Sequence, residues 1–382
     1  MLKSDKFNKE SSPFIKPQTI DNRLKIVYNT SIVIIKRQNM FKPKYAISNK
    51  ILANIKRIAE IVNELNRRQF SKLALAQLEK RAKEISAYSS TSIEGNPLPL
   101  TEVKKILKNR PENIRDSEKE VLNYNQALTE LNELTRKNKA FFGLPLVLNI
   151  QKIVTQGLVA KFNSGKIRKV PVFVNDPRLR QPIYWPPDHQ EVLKLTNDLF
   201  DFIKSNKGKI DPLILAGIFH KQFVIIHPFA DGNGRTARLA AKILLAEMGL
   251  NTFNLFSFEN YYNQNVTKYF QNVGEKGNYY DIKDKVDFTL WLEYFTDGIV
   301  DELLRVKKEL DKTAASPDKQ LKDYHQKIVS YIKKHGFIAD KNYAKLTSRA
   351  KPTRNLDFRK LISLGLIEKL GKGKATYYKL KS

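Results

Sequence analysis

The longest apolar run in the chain, residues 213–226, is interrupted only by His220, Lys221 and Gln222. A glycine-rich loop and a second apolar helical pattern, Thr236–Met248, follow it at once. The run falls short of the roughly 20 residues that span a bilayer. A helix apolar nearly all round has to be buried among other elements. The sequence therefore predicts two buried helices joined by a short loop, and no membrane contact.

Helical spacing dominates elsewhere. From Ser48 to about Glu94 the apolar residues fall at Ile51, Ile55, Ile58, Val62 and Leu65, then at Phe70, Leu73, Leu75 and Leu78. Gly95 and Pro97 end that stretch, one as a cap and the other as a breaker. Helical patterns resume over Leu100–Lys108, Asp116–Lys137, Pro145–Val159, Gln190–Lys204 and Asp211–Ile226, and again from Asn260 to about Leu310. The exception is residues 165–187. Val170, Val172, Phe173 and Val174 lead into Asn175-Asp176-Pro177, then Ile183, Tyr184 and Trp185, which predicts a hairpin ended by Pro186-Pro187. The fold class expected is mainly α with one β-hairpin.

Length and composition narrow the options. A chain of 382 residues suggests two or three domains. A hydrophobic share of 41% excludes a wholly disordered protein. With no cysteine there is no disulfide framework and no thiolate metal site, which suits a reducing cytoplasm. The N-terminus, with scattered charges and a short apolar patch at Ile32–Ile35, does not read as a signal peptide. Residues 1–40 read as a basic, poorly ordered extension, and Met40 is an alternative start because helical patterning begins just after it. The boundaries expected are an N-terminal helical region over 41–110, a core over 111–310, a linker over 311–320 around Ala-Ala-Ser-Pro-Asp, and a C-terminal unit over 321–382.

The net charge of +29 is unevenly spread: residues 1–50 carry +8 and residues 318–382 carry +12. A basic terminal unit suggests a nucleic-acid partner. Solubility, or a generally Lys-rich proteome, accounts for the same charge.

The loop His227-Pro-Phe-Ala-Asp231-Gly-Asn-Gly-Arg235-Thr-Ala-Arg238 carries the chemistry. An ordinary helix-to-helix turn would explain its glycines. It would not explain a histidine at the end of one buried helix and two arginines at the start of the next. Small residues at a helix N-terminus leave amides free for a phosphate. Arg235 and Arg238, three apart, can reach one polyphosphate, and Asp231 suits Mg²⁺ bridging phosphate oxygens. His227 can take a proton from an incoming hydroxyl at neutral pH. No Walker loop and no GxGxxG after a strand competes with this site.

This loop closely resembles the Fic family signature HPFx[DE]GNGRxxR, with every defining position present. The similarity covers roughly residues 50–310. It implies an all-helical core with a hairpin flap, and attack of a target hydroxyl on the α-phosphate of a nucleotide, releasing pyrophosphate. By that resemblance His227 is the general base and Asp231 the Mg²⁺ ligand. Gly232, Asn233 and Gly234 form the anion cradle, and Arg235 and Arg238 grip the distal phosphates. The Val170–Trp185 segment is the flap that holds a target protein, and Asn265 and Tyr269 lie against the nucleotide base. Helical surfaces in this family often pair, so a second copy of the chain joins the partners to be considered.

Ser90-Thr-Ser-Ile-Glu94-Gly95 is similar to the family's inhibitory pattern [ST]xxxE[GN]. The resemblance implies that Glu94 pairs with Arg238 and blocks productive ATP binding. A helix end with Glu94 in solvent and Gly95 as cap is the plain alternative.

In the C-terminal unit, Tyr324–Lys334, Lys341–Leu346 and Pro352–Leu364 predict short helices, and residues 365–380 predict two strands around a Gly/Lys turn. The order resembles a winged helix. In a DNA complex Lys351, Arg354, Arg359, Lys372 and Lys374 would face phosphates. Tyr377 and Tyr378 are expected in its core. The leading function expected is a protein adenylyltransferase using Mg-ATP. The alternatives are a nucleotide-sensing, DNA-binding regulator, and a Fic enzyme that uses another donor or removes AMP.

Overall fold

Ser48 opens the helical part of the chain. Its hydroxyl accepts the Ile51 amide at 3.2 Å and caps α1 (Asn49–Arg67). The computed structural model describes residues 24–28, 31–35, 41–68, 70, 72–175, 181–247, 255–314, 321–364 and 366–381. They fall into two units, 1–41 and 42–382. In the first unit, read from sequence as poorly ordered, Leu24–Tyr28 (β1) and Ser31–Ile35 (β2) pair as an antiparallel hairpin. The β-branched run from Ile32 to Ile35 supplies the strand propensity.

The second unit continues with α2 (Lys72–Ile93), α3 (Leu100–Lys108), α4 (Asp116–Arg136) and α5 (Leu144–Val154). Two short strands follow, β3 (Val174–Asn175) and β4 (Pro182–Trp185), and then α6 (His189–Asn206). The apolar run becomes α7 (Pro212–Ile226), and the loop leads into α8 (Asn233–Glu247). After these come α9 (Glu259–Gln264), α10 (Val266–Val273), β5 (Gly277–Asn278), α11 (Tyr279–Ile282) and α12 (Thr289–Ala314). No described helix is long and apolar enough to cross a membrane.

Asp211 starts α7 by accepting the Leu213 amide at 2.8 Å, with Pro212 preset for the first turn. Its residues from Leu213 to Phe223 are all buried, as the apolar pattern requires. It packs against α6, α8 and α12, and α8 packs in turn against α2, α4 and α5. Phe219 meets Phe142 edge-on at 4.9 Å and Phe200 at 5.8 Å, which locks α7 to α6.

Three boundaries differ from the sequence expectation. α5 stops at Val154, before Val159: Thr155 is its C-terminal cap at φ −106, and Gly157 turns the chain at φ +70. α8 starts at Asn233, before Thr236, so the second loop glycine lies in its first turn. α12 runs on to Ala314, into the stretch read as a linker.

The predicted hairpin is present but short: Val174 faces Tyr184 in an antiparallel pair, and its turn lies outside the described residues. β4 also pairs in parallel with β5, Tyr184 beside Gly277. The Tyr184 hydroxyl donates to the Ile225 carbonyl at 2.9 Å and pins the strand to the end of α7.

The C-terminal segment forms α13 (Asp323–His335), α14 (Asp340–Ala344) and α15 (Lys351–Ser363), then β6 (Ile367–Leu370) and β7 (Tyr377–Leu380) as an antiparallel hairpin. Ile338 bonds through both backbone groups to Tyr378, at 2.9 and 2.8 Å. Its core includes Ile328, Ile332, Tyr343 and Leu361, with Phe358 stacked on Tyr378 at 4.1 Å. Tyr378 is thus core, as expected, while Tyr377 is partly buried with its ring edge-on to Phe337. Of the basic residues expected to face phosphates, Lys351, Arg359 and Lys372 are exposed, and the Lys374 side chain lies outside the described residues. Arg354 departs from that expectation: Asp340 holds it through two 2.8 Å bonds, and it donates a third to the Arg349 carbonyl.

Candidate active site

His227 is the residue at which α7 ends. Its backbone is left-handed, φ 51 and ψ 60, which turns the chain out of the helix toward the loop. Such a conformation is uncommon for a residue with a Cβ and tends to mark functional positions. Nδ1 lies 3.2 Å from the Val224 carbonyl. A carbonyl can only accept, so Nδ1 carries the hydrogen and Nε2 keeps its lone pair. Burial pushes the imidazole down to about 4, and the Arg168 charge adds to that, against the Val224 bond and the charges of Glu94 and Asp231. The ring is therefore neutral at physiological pH, with Nε2 unprotonated.

The loop is closed on itself by Asn233. Its side chain accepts the Phe229 amide at 2.9 Å and donates to the Phe229 carbonyl at 2.8 Å. Asn233 is thus a loop staple through its side chain, and only its backbone is left for an anion cradle. Gly232 sits at φ +82, and a Cβ there would run into Thr155, so the position requires glycine. Gln151 ties the loop to the segment before the flap, donating to the Asp231 carbonyl at 3.1 Å and accepting the Gly165 amide at 2.5 Å.

Arg238 is fully buried, and four hydrogen bonds hold its guanidinium. Nε donates to Ser90 Oγ at 2.8 Å, and Nη2 donates to the Ser90 carbonyl at 2.9 Å and to Glu94 Oε1 at 2.6 Å. Nη1 reaches the Tyr269 hydroxyl at 3.2 Å. Burial opposes the charge, but the oxygens around it outweigh burial and hold Arg238 above the ordinary arginine range. Glu94 follows the last turn of α2, and Gly95 caps that turn at φ +95. A Cβ on Gly234 would collide with Glu94 Oε1. The carboxylate therefore lies against the first turn of α8, where a bound anion would lie.

Arg235 points the other way. It pairs with Glu120 of α4 at 2.6 Å and with Asp231 at 2.9 Å. Burial pushes Glu120 up, and Arg235 opposes that. Asn96 donates to Glu120 at 2.7 Å, which links the end of α2 to the loop. Arg235 Nε and Thr236 Oγ1, both buried, have no partner among the described residues. Unmet donors at a helix N-terminus are the condition an oxyanion would relieve. The Asp231 side chain is half exposed. No cluster of three or more metal-ligating side chains occurs among the described residues. One exposed carboxylate fits a divalent cation that takes its other ligands from phosphate and water, as Mg²⁺ does.

Of the two residues assigned to the nucleotide base, one is at the surface and the other in the core. Asn265 is exposed and caps α10, accepting the Lys268 amide at 3.0 Å. Tyr269 is buried, stacked on Tyr262, and its hydroxyl sits between Arg238 and His220. It supports Arg238 from within and presents no open face to a base.

Sequence reading missed Glu120, Gln151 and Arg168. Each reaches the loop from a segment distant in sequence, and none belongs to a motif. Arg168 stands among Lys166 and Lys169 and looks like another solvated charge, yet it is 2% exposed.

The comparisons agree with this geometry. Residues 141–245 match the profile of the Fic/DOC family. The chain carries a Fic/DOC family domain. A protein adenylyltransferase Fic of Aedes aegypti is 30% identical over 220 residues, covering 53% of this chain and 42% of that protein. Protein adenylyltransferase fic-1 of Caenorhabditis elegans is 29% identical over 210 residues, 53% of this chain and 39% of the relative. The chain thus spans about two-fifths of the length of these relatives. A solved Fic family protein from Desulfovibrio desulfuricans has the same fold, with a TM-score of 0.58 at 21% identity, over 89% of this chain and 98% of that one. Fic-1 from C. elegans gives a TM-score of 0.54 at 22% identity, over 69% and 73%.

Proposed function

We propose that this protein transfers AMP from ATP to a hydroxyl of a target protein, and that Glu94 restrains the transfer. His227 carries the reading: a neutral imidazole with its Nδ1 hydrogen engaged and Nε2 open stands beside a helix N-terminus flanked by two arginines. Nε2 takes the hydroxyl proton, the oxygen bonds to the α-phosphorus, and pyrophosphate leaves. The α8 amides, Arg235 and Arg238 hold the polyphosphate and stabilise its charge, which is most of what phosphoryl transfer asks of a protein. Asp231 is the residue that would hold Mg²⁺, whose charge would offset that of the phosphates. β3 is the edge of its sheet among the described residues, so an extended target segment can add alongside it. The named activity of the relatives supports the same chemistry.

The restraint follows from the Glu94–Arg238 contact. While the carboxylate occupies Arg238 Nη2 and the cradle at Gly234, a terminal phosphate has no place there. Purified wild type, Glu94→Gly and Glu94→Gly/His227→Ala, incubated with Mg²⁺ and α-³²P-ATP with and without cell extract, test both parts. Label on protein that rises with the single variant and vanishes with the double one is the expected result. ATP binding with no label in any variant would overturn the transfer reading and favour a nucleotide-sensing regulator or another donor.

A further inference from the structure

Arg168 is a buried cation facing no carboxylate at hydrogen-bond distance among the described residues. Its guanidinium donates to three backbone carbonyls: Nε to His227 at 2.8 Å, Nη1 to Val170 at 3.1 Å, and Nη2 to Pro187 at 2.5 Å. Its own amide donates to the Pro228 carbonyl at 2.9 Å. Val170 lies where the chain rises toward β3, and Pro187 lies just past the end of β4. One side chain therefore ties both roots of the flap to the main chain of His227.

We propose that Arg168 is a positioning residue that sets the flap against His227, so that an acceptor hydroxyl held by the flap meets Nε2. Three observations support this. First, an arginine at 2% exposure loses its hydration, and only well-placed acceptors make that tolerable. Carbonyls on three separate segments fill that role. Second, the left-handed backbone at His227 turns its carbonyl off the axis of α7, and Arg168 Nε meets that carbonyl. The bond helps hold an otherwise unfavourable conformation. Third, Tyr184 anchors β4 to the Ile225 carbonyl but leaves the outer root at Val170 untied. Arg168 supplies that tie.

The charge has a second effect. Three charged groups bear on the imidazole: Arg168 from the segment before the flap, Glu94 from the end of α2, and Asp231 from the loop. Arg168 favours the neutral ring, and the two carboxylates oppose it. A neutral replacement of Arg168 therefore makes the ring easier to protonate, while lysine keeps the charge and loses the three-way fork.

The kinetic arm of the test rests on the adenylyl-transfer reading; two other arms do not. In the Glu94→Gly background, Arg168→Gln and Arg168→Lys are compared by labelling kinetics, by hydrogen exchange of residues 170–187, and by titration of the His227 ring with ¹³C-labelled histidine, assigned through His227→Ala. Both variants are expected to lose kcat by about 10- to 100-fold, with the KM for ATP within about twofold, because displacement near the reacting atoms costs rate more than binding. Flap amides exchange faster in both. The midpoint of the His227 titration moves to higher pH in Arg168→Gln and stays in place in Arg168→Lys. Folded variants whose kcat, flap exchange and titration all equal the parent would overturn the proposal. A rise in ATP KM that accounts for the whole rate loss would overturn it too. Absence of transfer in the parent itself counts against the functional reading, and exchange and titration still decide the role of Arg168.

Discussion

Glu94 Oε1 and Arg238 Nη2 stand 2.6 Å apart, with Arg238 wholly buried and the Glu94 side chain 27% exposed. The partners are therefore unequal. Arg238 keeps Ser90 and Tyr269 if the carboxylate leaves, whereas Glu94 can turn toward water. A pair of this kind opens from the glutamate side.

Glu94→Gly should accordingly lower the melting temperature of the protein without nucleotide, because a buried charge loses a partner. It should also increase the thermal shift that ATP produces, since stabilisation by a ligand grows with its affinity for the folded state. Thermal melts with and without millimolar Mg-ATP check both. An equal ATP shift in wild type and variant would mean that Glu94 does not compete with nucleotide.

Gly234→Ala separates release of the glutamate from formation of a working cradle. Its Cβ would collide with Glu94 Oε1 and come within 3.1 Å of Arg238 Nη1. The carboxylate should be displaced, yet labelling should not rise, because the methyl group fills the space the phosphate needs. Labelling at or above the Glu94→Gly level would show that the nucleotide lies elsewhere.

Acid should destabilise the fold from just below neutrality. His227 is depressed from the usual histidine range to about 4, and burial depresses His220 as well. Between the unfolded value near 6.5 and these folded values the unfolded chain binds more protons, so stability falls as pH falls. Urea midpoints should be lower at pH 5 than at pH 7.5. On its own account, His227 remains an unprotonated base over that same range.

Tyr269→Phe removes the hydroxyl that lies between Arg238 and His220, both fully buried. His220 Nε2 then loses its partner, and its Nδ1 already has none among the described residues. A loss of about 1–3 kcal/mol is expected from urea unfolding. Labelling in the Glu94→Gly background should weaken but persist, because Arg238 retains Ser90.

Much of this was legible in the sequence, for identifiable reasons. The nearly all-round apolar surface of α7 can be satisfied only by burial, and a histidine followed by Asp-Gly-Asn-Gly and two arginines has few structural explanations. Ser90 and Glu94 were legible only because Ser90-Thr-Ser-Ile-Glu94-Gly95 resembles the Fic family's inhibitory pattern, and both side chains meet Arg238. The sites that escaped are those where identity says nothing about environment. Arg168 is one cation in a Lys-rich stretch until the fold encloses it. Glu120 is one acid on α4 until Arg235 reaches it, more than a hundred residues later. Tyr269 was placed at the nucleotide only as a residue of the helical stretch after Asn260, and its neighbours Tyr262 and Trp291 enclose it in the core. The pairing of β4 with β5 rests on two residues at 277–278, too few to leave a pattern.

The separation of 144 residues between Glu94 and Arg238 has a direction as well as a length. A ribosome makes the N-terminal segment first, and early segments begin to fold while later ones are still being synthesised. The end of α2, with its carboxylate, is therefore available before the loop and α8 leave the exit tunnel. Arg238 meets its partner as it buries, so no stage of synthesis presents a completed phosphate cradle with the glutamate still to come. On the proposed reading of Glu94 as a restraint on transfer, a chain with these elements in the opposite order would pass through an interval in which a newborn molecule could modify its neighbours.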